Sequence, residues 1–207
     1  MKGLLLKDIL SLRRQSKILL LLLLFYFVFA ISQNDTGFLQ GIVALICVML
    51  PISSLSYDEA VKWDRYGLSL PLSRKTVVFS KYLLGFLMDF FGSLAALLLS
   101  FLTISLTKTG DAAGLLLTSL VMFCVGLLFL AVIFPLIFQF GPEKGRLLLF
   151  AIVLLPIVAA FFLNKLGIRL SGFVWRPAYG YLAPAVVLAL LFCSVLISTR
   201  IYEKKEF

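Results

Sequence analysis

Residues 57–85 read YDEAVKWDRYGLSLPLSRKTVVFSKYLLG. Asp58, Glu59, Lys62, Asp64, Arg65, Arg74, Lys75 and Lys81 gather the densest charge of the chain here, between two long apolar runs. The flanks decide what the segment is. Of the 207 residues, 62% are hydrophobic and 14% charged, against about 25% charged in a soluble domain. Apolar runs of roughly 18 or more residues belong in a bilayer. The fold class is therefore all-α integral membrane, and the charged stretch is a loop between two spans.

Working outward from that loop, the apolar runs give six transmembrane helices, at about 18–32, 38–55, 77–106, 112–138, 147–163 and 181–199, in a single membrane domain over 1–207. The first is short. The third and fourth exceed the roughly 20 residues a crossing needs, so they tilt or project. Orientation follows from the basic residues. With the N-terminus inside, Lys2, Lys7, Arg13, Arg14, Lys17, Lys62, Arg65, Arg74, Lys75, Lys81, Lys144, Arg146, Arg200, Lys204 and Lys205 are cytoplasmic. Only Lys108, Lys165, Arg169 and Arg176 are external. That bias places both termini in the cytosol of a cell membrane. Basic loops of this kind orient a membrane protein, so the formal charge of +9 is not read as nucleic-acid binding. The outer segment NKLGIRLSGFVWRPAYG carries Trp175, Tyr179 and Tyr181 with Gly172 and Pro177. It reads as a small external or half-inserted element with an interfacial aromatic belt.

Basic residues and an apolar run ahead of Ala30-Ile31-Ser32 mimic a cleaved leader, but the run is read as the first span. Before it, Leu5, Ile9 and Leu12 share one helical face, while Lys7, Asp8, Arg14 and Gln15 fall largely elsewhere. This is the pattern of an N-terminal amphipathic helix lying in the headgroup layer.

The chain contains no histidine, which removes imidazole metal sites and Ser-His-Asp or Cys-His catalysis. No catalytic or metal-ligating set is expected, and no enzyme. Cys47, Cys124 and Cys193 each sit inside an apolar run and read as small core residues. Pro135, Pro156 and Pro184 interrupt the last three spans and invite kinks. Phe25-Tyr26-Phe27 and Phe161-Phe162 are either apolar path linings or lipid-facing packing.

In the loop, Ser56-Tyr57-Asp58-Glu59 fits a capping box, so a short cytoplasmic helix is expected from Tyr57 to Tyr66, ended by Gly67. Ser69-Leu70-Pro71 then breaks the chain, and Ser73 caps the next helix. Arg74 and Lys75 stand in its first turn, where the helix dipole disfavours cations; membrane orientation or attraction to anionic headgroups would supply the reason.

The order of residues in YDEAVKWDRYGLSLPLSRKTVVFSKYLL resembles small ABC transporter permeases of the type 2 exporter superfamily. It is similar in particular to the stand-alone permease subunits that expel phenol-soluble modulin peptides. The resemblance is specific over about residues 57–84 and topological over the rest. It implies that Tyr57–Gly67 is a coupling helix, with Tyr57, Asp58, Glu59, Lys62, Trp63, Asp64, Arg65 and Tyr66 meeting a separate cytosolic ABC ATPase. It also implies a homodimer of permeases in a bacterial plasma membrane and export of amphipathic or hydrophobic cargo, peptides above all. The chain has no G-x-x-x-x-G-K-[ST] loop, so ATP and Mg belong to the partner. Glu143–Arg146 is a second candidate contact.

Asp89 stands in the third span, on the order of 12 Å deeper than Lys81 along the helix. A carboxyl at that depth faces a cavity, a partner helix or water, or is protonated, which makes it either a candidate transport-path or dimer-interface residue or a locally satisfied polar group near the cytoplasmic face. The alternative function, a secondary transporter or channel not coupled to ATP, would call for several such charges.

Overall fold

The computed structural model describes residues 2–13, 15–33, 35–63, 66–67, 73–107, 112–165 and 177–204. Among them all regular structure is helical: α1 (Lys2–Arg13), α2 (Ser16–Gln33), α3 (Thr36–Ala60), α4 (Arg74–Thr107), α5 (Ala112–Phe140), α6 (Pro142–Lys165) and α7 (Pro177–Lys204). Each apolar run expected to cross falls within one helix from α2 to α7. Four of these are long and apolar enough to span a membrane: α3, α4, α5 from Gly114, and α7 from Pro184. α1 and α2, bent by 65°, reach that measure together, whereas α6 and α2 alone do not among the described residues. The external element expected over 164–180 falls mostly on 166–176, outside the described residues.

Local chemistry sets several ends. Asp35 caps α3, its carboxylate accepting from the backbone N–H of Gly37 at 2.9 Å and Phe38 at 3.3 Å. Ser73 caps α4 by accepting from Thr76 N–H at 3.2 Å. α5 and α6 meet at Gly141, whose φ of +89° only glycine adopts freely. α3, α5 and α7 run on through Pro51, Pro135 and Pro184.

α5 is the hub, packed against α3, α4, α6 and α7. Its buried Leu127, Leu130, Ile133, Phe134, Ile137 and Phe138 fall on one face at helical spacing. Phe134 meets Tyr82 of α4 edge-on, ring centres 4.6 Å apart. The Tyr82 hydroxyl lies 2.6 Å from Ser194 Oγ and 2.7 Å from Ser198 Oγ of α7. Ser194 in turn donates to the Ala131 carbonyl of α5 at 2.5 Å. Toward the other end, Gln40 of α3 donates to Ser119 Oγ at 2.8 Å and Ser100 Oγ at 3.3 Å. Such bonds tie helices where no water competes.

The outward faces are apolar. Phe90, Phe91, Leu94, Leu98 and Phe101 of α4 are exposed, as are Phe25, Phe161 and Phe162, which suits contact with lipid. Cys47 and Cys124 are buried as expected, but Cys193 is exposed. It sits on an exposed part of α7, and a small apolar side chain tolerates that face.

Candidate functional site at the charged end of the bundle

One end of the bundle collects α1, the end of α3, the start of α4, the α5–α6 turn and the end of α7. Side chains join these elements directly. Lys81 of α4 donates to Asp8 Oδ1 of α1 at 2.8 Å, to Asp58 Oδ2 of α3 at 2.5 Å and to Ser54 Oγ at 3.2 Å. Lys7 reaches the other oxygen of Asp58 at 2.5 Å and Asp8 Oδ1 at 3.2 Å. Its ammonium also lies 3.8 Å from the ring centre of Trp63. Two lysines and two aspartates balance their charge, and Asp8 and Lys81 are only 1% and 2% exposed. A buried ion in a medium of low dielectric persists only when paired and hydrogen-bonded. This cluster therefore sets how α1, α3 and α4 sit on one another.

The cluster corrects the sequence reading of α1. Leu5, Ile9 and Leu12 were expected to share the apolar face, with Asp8 outside. The buried residues are Leu4, Asp8 and Leu12, and Ile9 is exposed. The i, i+4, i+8 row turns inward because Lys81 waits there for a carboxylate. A readable signal existed, since Asp8 lies midway in the row Leu4, Asp8, Leu12.

The loop helix is corrected too. Ser56 caps nothing; its hydroxyl donates to the Ile52 carbonyl at 3.1 Å, and α3 continues through Tyr57, Asp58 and Glu59 to Ala60. The break comes at Val61 and Lys62, with Lys62 at φ 53°. Helical geometry resumes at Trp63, Tyr66 and Gly67. Gly67 is needed for closeness rather than for a left-handed cap, because a Cβ there would lie 2.7 Å from the Trp63 ring. Asp64 and Arg65 lie outside the described residues. Of the other named residues, Tyr57, Glu59, Lys62 and Tyr66 are exposed, Trp63 is half-buried, and Asp58 is buried in the ion cluster. The Tyr57 hydroxyl accepts from Gln15 at 2.9 Å.

Arg74 finds a partner other than headgroups. Its guanidinium donates to the carbonyls of Tyr202 at 3.3 Å and Glu203 at 2.5 Å. Those are C-terminal carbonyls of α7, where the dipole favours a cation. Beyond the ion cluster, a cleft of about 400 Å³ separates Ser56, Glu59 and Ala60 from Phe140, Gly141, Glu143 and Lys144. Glu59 and Ala60 of the stretch 57–67 and Glu143 and Lys144 of 143–146, the two stretches that sequence nominated for a partner, thus border one cleft.

Asp89 is buried against α5. Its carboxylate occupies the space a Cβ on Gly126 would need, and its Oδ2 has no hydrogen-bond partner among the described residues. The structure does not bring it near the charged end.

The family model for ABC-2 family transporter proteins matches residues 3–203. The chain belongs to the ABC-2 transporter family. This makes the ABC-2 chain a multi-pass membrane permease of an ABC transporter, a transport subunit whose ATPase is a partner. The missing phosphate loop fits that division of labour. No curated protein and no solved structure matches the ABC-2 chain.

Proposed function

We propose that this permease exports amphipathic or hydrophobic cargo, peptides above all, across a bacterial plasma membrane through six spans, as a homodimer carrying two ATPase chains. The charged end faces the cytosol. Tyr57, Glu59, Lys62, Trp63, Asp64, Arg65 and Tyr66 couple to the ATPase, with Asp58 holding them from beneath. The carrying observation is the cleft bordered by Glu59 on one side and Glu143 and Lys144 on the other. It brings Glu59 and Ala60 of one candidate contact stretch and Glu143 and Lys144 of the other onto one mixed-charge face. Charges at the rim of such a surface set register and partner choice, while aromatic residues anchor it.

The test uses the permease with the ATPase encoded beside it. Glu59→Lys with Lys144→Glu exchanges charge across the cleft and leaves its net charge unchanged, so membrane orientation is preserved. Peptide export is expected to fall at least about tenfold, roughly 1.4 kcal/mol of lost coupling, with normal insertion. Normal ATPase binding and normal export in this variant would remove the cleft from the coupling path. Asp89 is assigned to transport because its carboxylate is buried deep in a span with one oxygen unpartnered among the described residues. Asp89→Asn is expected to lower export at unchanged protein abundance.

A further inference from the structure

The loop after α3 ends where α4 begins, at Arg74. A cation in a first turn opposes the dipole of its own helix, so its place there serves something else. What it serves is α7. One terminal nitrogen of the guanidinium donates to the Tyr202 carbonyl at 3.3 Å and to the Glu203 carbonyl at 2.5 Å. Both belong to the last turn of α7, whose carbonyls have no partner within the helix. Lys75 adds an exposed pair with Glu203 at 3.8 Å, and such pairs contribute little.

The helix end held by Arg74 is itself fixed. Tyr202 is buried, its ring centre 5.6 Å from that of Phe138 on α5. About two turns deeper, roughly 12 Å along either helix at 1.5 Å per residue, Tyr82 of α4 meets Ser194 and Ser198 of α7. Chemistry assigns the protons there. A serine hydroxyl has one proton, and that of Ser194 goes to the Ala131 carbonyl of α5. Ser194 therefore accepts from Tyr82, and Tyr82, its proton so directed, accepts from Ser198. The donors run one way, from α7 through α4 and α7 to α5, and loss of any contact would orphan a buried hydroxyl. The charged ends of α4, α5 and α7 are thus held as one body, and Arg74 fastens the end of the loop to it.

We propose that Arg74 is a positioning residue for energy coupling: through it, displacement of the loop by the ATPase reaches the last span. The inference deepens the coupling role proposed for residues 57–67 and rests on it. A shift of Ser73 moves Arg74, and a guanidinium that holds two consecutive carbonyls draws the end of α7 along.

The experiment uses the permease with the ATPase encoded beside it, in nanodiscs, with Cys47, Cys124 and Cys193 replaced by Ala. A bimane fluorophore is attached to the loop through Val61→Cys or to α7 through Ile197→Cys, both exposed positions. Emission is compared between the nucleotide-free complex and the complex trapped with ATP and vanadate. With Arg74 in place both reporters are expected to respond. In Arg74→Gln the Val61 response should persist while the Ile197 response falls about fivefold, the share of one charge-assisted hydrogen bond. Arg74→Lys keeps a charged donor and should restore part of it. Arg74→Met, which keeps the apolar stem, carries the same expectation and covers a failure of Arg74→Gln to fold. An unchanged Ile197 response in a folded Arg74→Gln or Arg74→Met complex would overturn this proposal and leave the coupling role of the loop standing. So would an equal fall at both reporters, which marks a merely structural role. A Val61 reporter that stays silent with Arg74 in place would overturn the coupling role and this proposal together.

Discussion

At the scale of single residues, Lys81 is the pivot. It donates to Asp8, Asp58 and Ser54 from a nearly inaccessible position. Lys81→Met leaves two buried carboxylates with Lys7 as their one remaining cation in the cluster. Removing one partner from a buried pair costs about 3–5 kcal/mol, and that loss is expected in detergent unfolding followed by circular dichroism. Adding Asp8→Leu removes one stranded carboxylate and should recover a large part of the loss. If Lys81→Met unfolds like wild type, the cluster is not holding α1. Gly126 gives a second case. A Cβ there would come within 2.7 Å of Asp89 Cγ, so Gly126→Ala should destabilise by about 1–3 kcal/mol through overpacking. Gly126→Ala combined with Asp89→Ser, whose side chain is shorter, should unfold closer to wild type than Gly126→Ala alone.

Among the elements, the break after α3 matters most. Lys62 holds φ 53°, and its backbone N–H bonds the Glu59 carbonyl at 3.0 Å as the helix ends. A left-handed residue costs roughly 1–2 kcal/mol unless it is glycine, and a β-branched side chain suffers most. Lys62→Val is therefore expected to loosen the stretch around Trp63, and Lys62→Gly to hold it at least as firmly. Hydrogen exchange at the amides of Val61 to Tyr66 checks this: faster exchange in Lys62→Val and unchanged exchange in Lys62→Gly. The same exchange in both would mean the break is set elsewhere. The sequence pointed to a helical, aromatic and charged segment here. It misplaced the boundary because Ser56 matches a cap and also an in-helix hydroxyl bonding the carbonyl four residues back. Only the packing of Asp58 against Lys81 distinguishes the two.

For the whole molecule, the contacts from Lys7 to Asp58, Arg74 to Tyr202 and Glu203, and Arg146 to Ser53 put α1, both loop stretches and the end of α7 at one pole. Asp35 sits at the other, at the start of α3. With the charged pole in the cytosol, Asp35→Cys should react with a membrane-impermeant maleimide in intact cells, and Glu143→Cys only after permeabilisation. Both are exposed side chains, so access is set by the membrane alone. The measurement is made in a chain with Cys47, Cys124 and Cys193 replaced by Ala. The reverse pattern would invert the topology and put the coupling face outside.

Composition and hydropathy decided that this chain is helical and lives in a bilayer, because a span must be apolar over its whole length and must satisfy its own backbone. The boundaries of α4 and α5 were legible for the same reason. The pairing of charges was not. Asp8, Asp58 and Lys81 lie far apart in the chain, and helical periodicity ranks a lone aspartate as outward-facing whether or not a lysine awaits it. Nor could periodicity show that Gly126 makes room for Asp89, or that Glu59 and Ala60 border one cleft with Glu143 and Lys144. These are properties of distances between helices. In an apolar medium polar side chains are satisfied mainly by one another, so the partner of each is chosen by how the helices pack.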